Sequence, residues 1–257
     1  MRKVFFLCLV VVLCSSHDMY LKLDTFFLQP NSTATLQLFN GTFDKSDNVI
    51  DRDRMIDASM VGNGNRTAID TAAWSEKDKQ TLLKFQTGAA GTWVAGVSTR
   101  PRDFEMTAEK FNDYLVHDGV LDMLEWRKEN NELELDAIER YSKHIKAIYQ
   151  VGDMHTEDWK TVLGYPIEFV PLSNPYTTHA GHGLKVKLLW QGEPLANQLV
   201  YADVKATKSH GHSHDAEHDH EHTADGGHSH GSEGEKHDHD DSSHAHHLFY
   251  VRVRGSD

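Results

Sequence analysis

The chain is poor in cysteine, proline and long apolar runs, and each shortage excludes a class of protein. Its two cysteines, Cys8 and Cys14, lie in the first 16 residues, and only six prolines occur in 257 residues. A disulfide-stapled scaffold and a proline-rich linker protein are therefore excluded. The longest apolar run, Val4 to Leu13, is too short to span a bilayer.

This apolar run has the features of a secretory signal peptide. Arg2 and Lys3 precede it and the small residues Ser15 and Ser16 follow it, so we expect export and cleavage after Ser16. The mature chain then contains no cysteine, which favours a bacterial periplasm over an animal secretory route rich in disulfides. Three N-glycosylation sequons argue against this choice and begin at Asn31, Asn40 and Asn65.

A lipid anchor is the alternative to cleavage after Ser16. Cys14 closes the apolar run and is the residue that would accept the lipid. Leu13, however, is bulky at a position where lipoprotein processing requires a small residue. We therefore expect a free exported protein and keep anchoring at Cys14 as the open alternative.

Basic residues are scarce relative to acidic ones. Loss of Arg2 and Lys3 with the signal peptide leaves 24 basic residues against 39 acidic ones, a net charge of −15. Nucleic acid and anionic lipid are unsuitable partners for such a chain. A cation is the natural partner.

The residues between Lys208 and Leu248, here called the His-rich tract, hold 13 of the 19 histidines, ten acidic residues and almost nothing apolar. Imidazole is the commonest protein ligand for borderline divalent ions, and the carboxylates attract the cation. We expect this segment to stay disordered until metal crosslinks it, because it buries too little apolar surface. The predicted ligands for Ni, Co, Zn or Cu are His210, His212, His214, His218, His220, His222, His228, His230, His237, His239, His244, His246 and His247.

Three further histidines are candidate metal ligands. After cleavage, the α-amino group and ring of His17 would chelate one ion, as in copper sites that use an amino-terminal histidine; a polar residue at the start of a strand is the alternative. His179 and His182 form an H-x-x-H pair in a predicted turn, where surface histidines are the alternative.

Signatures of catalysis are absent. The chain has no G-x-S-x-G, P-loop or H-E-x-x-H motif, and we predict that it is not an enzyme. A cluster of carboxylates has the composition of a solvated helix face and not of a catalytic pair. It consists of Glu125, Glu129, Glu132 and Glu134.

The remaining residues predict a mainly β protein with a helical insertion. The predicted strands are 19–28, 33–39, 81–87, 92–98, 184–190, 199–206 and 249–253. One helical segment has Phe111, Tyr114, Leu115, Leu121 and Leu124 at helical spacing and is interrupted by Gly119. A second helix is predicted from the N-cap Asp136, with Glu139 three residues later, to Gly152; its apolar face is Ile138, Tyr141, Ile145 and Ile148.

Five sequence blocks, in this order, resemble a family of bacterial periplasmic proteins of unknown function, often labelled NikM-like or the periplasmic component of a nickel or cobalt uptake system. They are HDMYLKL, AEKFNDYLVHDGVLDML, ERYSKHIKAIYQVG, LGYPIEFVPLSNPY and QGEPLANQLVYADV, and they cover residues 17 to about 206. The resemblance implies an immunoglobulin-like or transthyretin-like sandwich with a helical segment, followed by a second such sandwich. The His-rich tract departs from the family, and so does the end at Asp257, where relatives continue into further strands.

These observations predict a domain arrangement and a function. We expect a signal peptide at 1–16, a first sandwich at 17–165 with a helical segment at about 107–152, and a second sandwich at 166–257. We expect the second sandwich to carry the His-rich insertion at 209–247 between paired strands, with truncation at its end as the open question. We expect a protein that captures divalent ions for a cation permease or ABC transporter. The alternatives are a metal buffer without a transport partner and a copper oxidase that uses His17.

Overall fold

The computed structural model describes residues 18–178, 182–206 and 247–253. The strands of these residues are β1 (Asp18–Lys22), β2 (Phe27–Leu28), β3 (Thr33–Gly41), β4 (Met55–Gly62), β5 (Asn65–Ala68), β6 (Trp74–Lys77), β7 (Gln80–Gln86), β8 (Gly91–Thr99), β9 (Arg102–Met106), β10 (Ala137–Tyr141), β11 (His144–Val151), β12 (Ile167–Pro171), β13 (Val186–Trp190), β14 (Glu193–Pro194), β15 (Val200–Ala206) and β16 (His247–Val253). The α-helices are α1 (Ala108–Asp118) and α2 (Leu121–Glu129). Short 3-10 turns occupy Arg52–Arg54, Thr71–Ala73, Glu157–Lys160 and Pro175–Thr177.

Two sheets form a β-sandwich, as the sequence predicts. The first sheet has the strand order β1-β3-β7-β6 and the second has the order β2-β11-β8-β4-β5. All neighbours are antiparallel except β2 and β11, which are parallel. The predicted mainly β fold with a helical insertion is therefore confirmed.

The core of the sandwich lies between the inner faces of these two sheets. Leu36 and Leu38 of β3 are almost fully buried on one side, and Tyr149 of β11 is buried on the other. The Tyr149 ring lies 6.1 Å from the Phe85 ring of β7 and 6.5 Å from the Trp93 ring of β8. Burial of each such side chain contributes about 1.5–3 kcal/mol. Apolar alternation along these strands thus places one face of each sheet in the core.

The outer face of the second sheet is covered by residues 156–168, here called the strap. Leu163 and Tyr165 of the strap are buried against Val61 of β4 and Val94 of β8, with Ile148 at the edge of the cluster. The second sheet therefore has apolar residues on both faces in its central strands.

A helical arm, residues 102–141, extends from the second sheet. The antiparallel pair of β9 and β10 continues the pair of β8 and β11, because Arg102 pairs with Tyr141 shortly after Ser98 pairs with His144. Between β9 and β10 lie α1 and α2. Gly119 separates the two helices in a left-handed conformation with φ of 75°, a position that favours glycine. The first predicted helical segment is confirmed as these two helices.

The second predicted helix, from Asp136 to Gly152, is wrong. This segment forms β10 and β11, and β11 pairs with β8 over eight residues. Ala147, Tyr149 and Val151 alternate into the core, so cross-strand pairing and burial override a spacing that also fits a helix. Asp136 instead accepts a hydrogen bond from the backbone N–H of Ala108, the first residue of α1.

The strands from the end of the strap onward form two smaller sheets, and the first of these strands, β12, begins within the strap at Ile167. One has the order β12-β13-β14, and the other is the antiparallel pair of β15 and β16. Described residues up to Leu199 belong to one compact unit, and β15 with β16 belongs to a second unit. None of the helices in the described residues combines the length and apolarity of a membrane span.

Candidate metal-binding site

Two of the sixteen predicted metal ligands lie within the described residues. His182 is exposed in a bend that precedes β13, and His247 is the first residue of β16. The other fourteen lie outside the described residues: His17, His179, His210, His212, His214, His218, His220, His222, His228, His230, His237, His239, His244 and His246. Their role in metal binding stays a prediction.

The strands that flank the His-rich tract are hydrogen-bonded to each other. β15 and β16 pair antiparallel over seven residues, from Val200 opposite Val253 to Ala206 opposite His247. The predicted pairing of the two flanking strands is confirmed. Residues 207–246 therefore connect two neighbouring positions of one ladder, and His247 belongs to the strand and not to the insertion.

The described residues contain no group of three or more histidine, cysteine, aspartate or glutamate side chains placed to hold a metal ion. Of the predicted carboxylate cluster, Glu125 and Glu129 are exposed on α2, and the other two members follow the end of that helix.

Three isolated histidines outside the predicted ligand set lie within the described residues. His117 in the last turn of α1 and His155 before a 3-10 turn are exposed. His144 is different, because it lies in β11 with its Nδ1 2.8 Å from the Ser98 hydroxyl and its Nε2 2.8 Å from the Ser142 hydroxyl. Burial lowers the pKa of His144 below its ordinary value of 6.5.

A polar cluster that the sequence does not reveal lies under the strap. The Asp57 carboxylate accepts hydrogen bonds from the Tyr165 hydroxyl at 2.5 Å and from the Arg66 guanidinium at 3.0 Å. Arg66 also donates to the carbonyl of Leu163 at 2.8 Å. Burial and the hydrogen bond to Asp57 raise the pKa of Tyr165, so its phenol stays neutral and donates. The cluster ties β4 and β5 to the strap.

A buried ion pair ties β11 to the strap. The Lys146 ammonium contacts the Glu168 carboxylate, and the side chains are only 9% and 2% exposed. Lys146 also donates to the carbonyl of Thr161 at 2.8 Å, and Glu168 accepts from the backbone N–H of Leu163 at 2.7 Å. Burial lowers the pKa of Lys146, whereas its partner Glu168 opposes that shift. These contacts give the strap a fixed path over the sheet.

One sequence signal could have pointed to these residues. Ser59, Gly96, Ser98 and Lys146 interrupt the apolar pattern of β4, β8 and β11 at positions that share the outer face of the second sheet. Polar or small residues on one face of an otherwise apolar strand indicate a covering segment with its own polar groups.

The described residues thus form a β-sandwich with a helical arm. The last two described strands, β15 and β16, flank the His-rich tract. The chain belongs to the DUF4198 family, a domain of unknown function, whose family model matches residues 14–228. A search among curated proteins finds no match.

Proposed function

We propose that this protein is an exported, periplasmic binder of divalent transition-metal ions that captures nickel or cobalt, and also zinc or copper, for a membrane uptake system. One observation carries the proposal: 13 histidines and ten acidic residues occur together in the tract between Lys208 and Leu248. Neutral imidazoles are ligands for all four ions, and the carboxylates concentrate the cation.

The pairing of β15 with β16 supports a loop of this length as a metal-binding module. Ala206 and His247 are opposite each other, so the ends of the loop are held together by the strands. Loop-closure entropy grows only logarithmically with length, and a turn of about four residues lengthened to about 40 costs only about 2 kcal/mol. The strands can therefore carry many ligands at small cost in stability.

Sequence resemblance supports uptake over simple storage. The blocks HDMYLKL and LGYPIEFVPLSNPY resemble those of the NikM-like proteins, a family of unknown function that is labelled as the periplasmic component of nickel or cobalt uptake systems. Many overlapping sites allow ions to exchange along the tract, whereas one closed cage would retain them. A metal buffer needs the same ligands but no transporter, and a copper oxidase would need His17.

Metal titration tests the binding step. The mature protein should bind several nickel or zinc ions by calorimetry, and deletion of 209–246 should remove most of this capacity while thermal unfolding stays cooperative. The deletion stops before His247, because that residue begins β16. A matched variant replaces the twelve histidines of 209–246 with asparagine and keeps every carboxylate. It should behave like the deletion, and an unchanged stoichiometry in either variant would contradict the assignment.

Cellular metal content separates a supplier from a buffer. Cells that lack the protein should accumulate less nickel or cobalt when external metal is scarce and should recover when supply is raised. Normal accumulation at low supply, together with sensitivity to excess zinc or copper, would favour the buffer. Copper-dependent oxidation by the mature protein that disappears in His17→Ala would favour the oxidase.

A further inference from the structure

The helical arm exposes an unusual share of large apolar side chains. Of the thirteen such residues exposed in the described chain, six lie between residues 104 and 138: Phe104, Val116, Leu121, Trp126, Leu135 and Ile138. Trp126 is 48% exposed and Leu121 is 58% exposed. Clustered exposed apolar side chains mark interaction surfaces, and tryptophan is the residue type most enriched at their energetic centres.

The arm is held in shape by internal contacts. The buried Arg127 guanidinium of α2 donates to the Asn112 amide at 3.0 Å and to the carbonyls of Glu132 and Leu135 at 2.7 and 2.6 Å. It also lies 4.9 Å from the Phe111 ring centroid. These bonds fix α2 against α1 and the following turn, so the face opposite Arg127 is presented in one orientation. A preorganised surface loses less entropy when it binds.

The exposed face of α2 combines apolar and acidic residues. At 100° per residue, Asp122, Glu125 and Glu129 lie in the middle of the face that is turned away from Arg127. Leu121 lies on one flank of this acidic row and Trp126 lies on the other, and all five side chains are exposed. We call these five residues the α2 face.

Charge decides which partner fits the α2 face. Residues 102–141 include twelve acidic and five basic residues, a net charge of −7 against −13 for the whole chain. Two copies docked through this face would bring like charges together, and an anionic lipid surface would repel it. A partner with lysine or arginine around an apolar recess would instead gain both apolar burial and charge complementarity.

We propose that the α2 face is the docking surface for a membrane transporter that presents an apolar recess rimmed by lysine and arginine. This proposal rests on the proposed uptake function. It adds the contact through which the protein would deliver its metal to the transporter. Leu121 and Trp126 enter the recess, and the three carboxylates face its basic rim.

Site-specific photocrosslinking in living cells tests the docking surface. A benzophenone amino acid at position 126 should give one adduct with a membrane-embedded protein. The same probe at position 172 should give none, because Leu172 is at least as exposed as Trp126 but lies outside the arm. The triple variant Asp122→Lys, Glu125→Lys and Glu129→Lys should reduce the adduct at position 126 at least fivefold. The purified triple variant should keep the nickel stoichiometry of the unmodified protein, because its His-rich tract is unchanged.

The outcomes distinguish the docking proposal from the function on which it rests. No adduct at position 126, equal adducts at 126 and 172, or an adduct with a second copy of this chain would each overturn the docking proposal. Normal nickel accumulation in cells that lack the protein would instead overturn the uptake function, whatever the crosslinks show.

Discussion

Removal of the carboxylate charge at Glu168 should strongly destabilise the fold. Glu168→Gln leaves the Lys146 ammonium buried without its counter-ion, and the new amide group faces the N–H donors of Leu163 and Gly164. Breaking a buried ion pair by removal of one partner costs about 3–5 kcal/mol. Because domains are stable by about 5–15 kcal/mol, the loss should appear as a large drop in the urea midpoint.

A double-mutant cycle isolates the effect of the unpaired charge. In Lys146→Met combined with Glu168→Gln no charge is buried. The remaining cost is that of hydrogen bonds lost by the carbonyls of Thr161 and Phe169 and by the backbone N–H that faces the NH2 group of the new amide. Such losses cost about 1–3 kcal/mol, so the double variant should be no less stable than Glu168→Gln alone.

The exposed ion pair between Lys160 and Glu157 provides a matched control for the cycle. Its atoms are 2.8 Å apart, but its side chains are 58% and 72% exposed. Glu157→Gln should therefore change the free energy of unfolding by less than about 1 kcal/mol. A cost below 1 kcal/mol for Glu168→Gln, or strictly additive effects in the double variant, would refute the assigned role of the buried pair.

Three further measurements test the strap, the half-buried His144 and the His-rich tract. Gly96→Ala would place a Cβ 2.3 Å from Leu163 and 2.6 Å from the Tyr165 hydroxyl, so it should lower the free energy of unfolding by about 1–3 kcal/mol in a urea titration. The control Gly183→Ala meets no atom within 4 Å and should leave the free energy of unfolding unchanged. Burial lowers the pKa of His144 in the folded state below its ordinary value of 6.5. Just below pH 6.5 the imidazole is therefore protonated in the unfolded chain but not in the folded one, and the free energy of unfolding falls as the pH drops. His144→Gln should reduce the pH dependence of the urea midpoint between pH 7 and 5, and parallel curves would contradict this. Nickel affinity measured by calorimetry should fall steeply from about pH 7 to 5, because protons compete for imidazoles with an ordinary pKa of about 6.5; a flat profile would assign the ion to the carboxylates.

Sequence patterns predicted the strands in which apolar and polar side chains alternate clearly and the helix end that is marked by a capping residue. The strands at 33–39 and 92–98 and the helical break at Gly119 were found within a few residues of their bounds. The segment 136–152 was mistaken for a helix, because its apolar residues recur at helical spacing, and the long-range pairing of β11 with β8 that makes it a strand leaves no local signal. β4 was missed altogether, since its outer face carries Asp57 and Ser59 in place of an alternating apolar pattern.

The polar contacts under the strap could not be predicted for a related reason. Asp57 and Tyr165 are separated by 108 positions in the chain, and no local spacing connects them. By contrast, the His-rich tract can be recognised from its amino-acid composition alone, without knowledge of the fold. The sequence therefore points to metal chemistry in one segment, but the partners of Asp57, Lys146 and His144 become visible only when the sheet is assembled.

The pairing of Ala206 with His247 has a mechanical consequence for the strands beside the tract. A loop whose two ends are already adjacent can contract around bound ions without pulling those ends apart or together. Under the proposed function, metal binding in the tract would therefore not require the ends of β15 and β16 to separate.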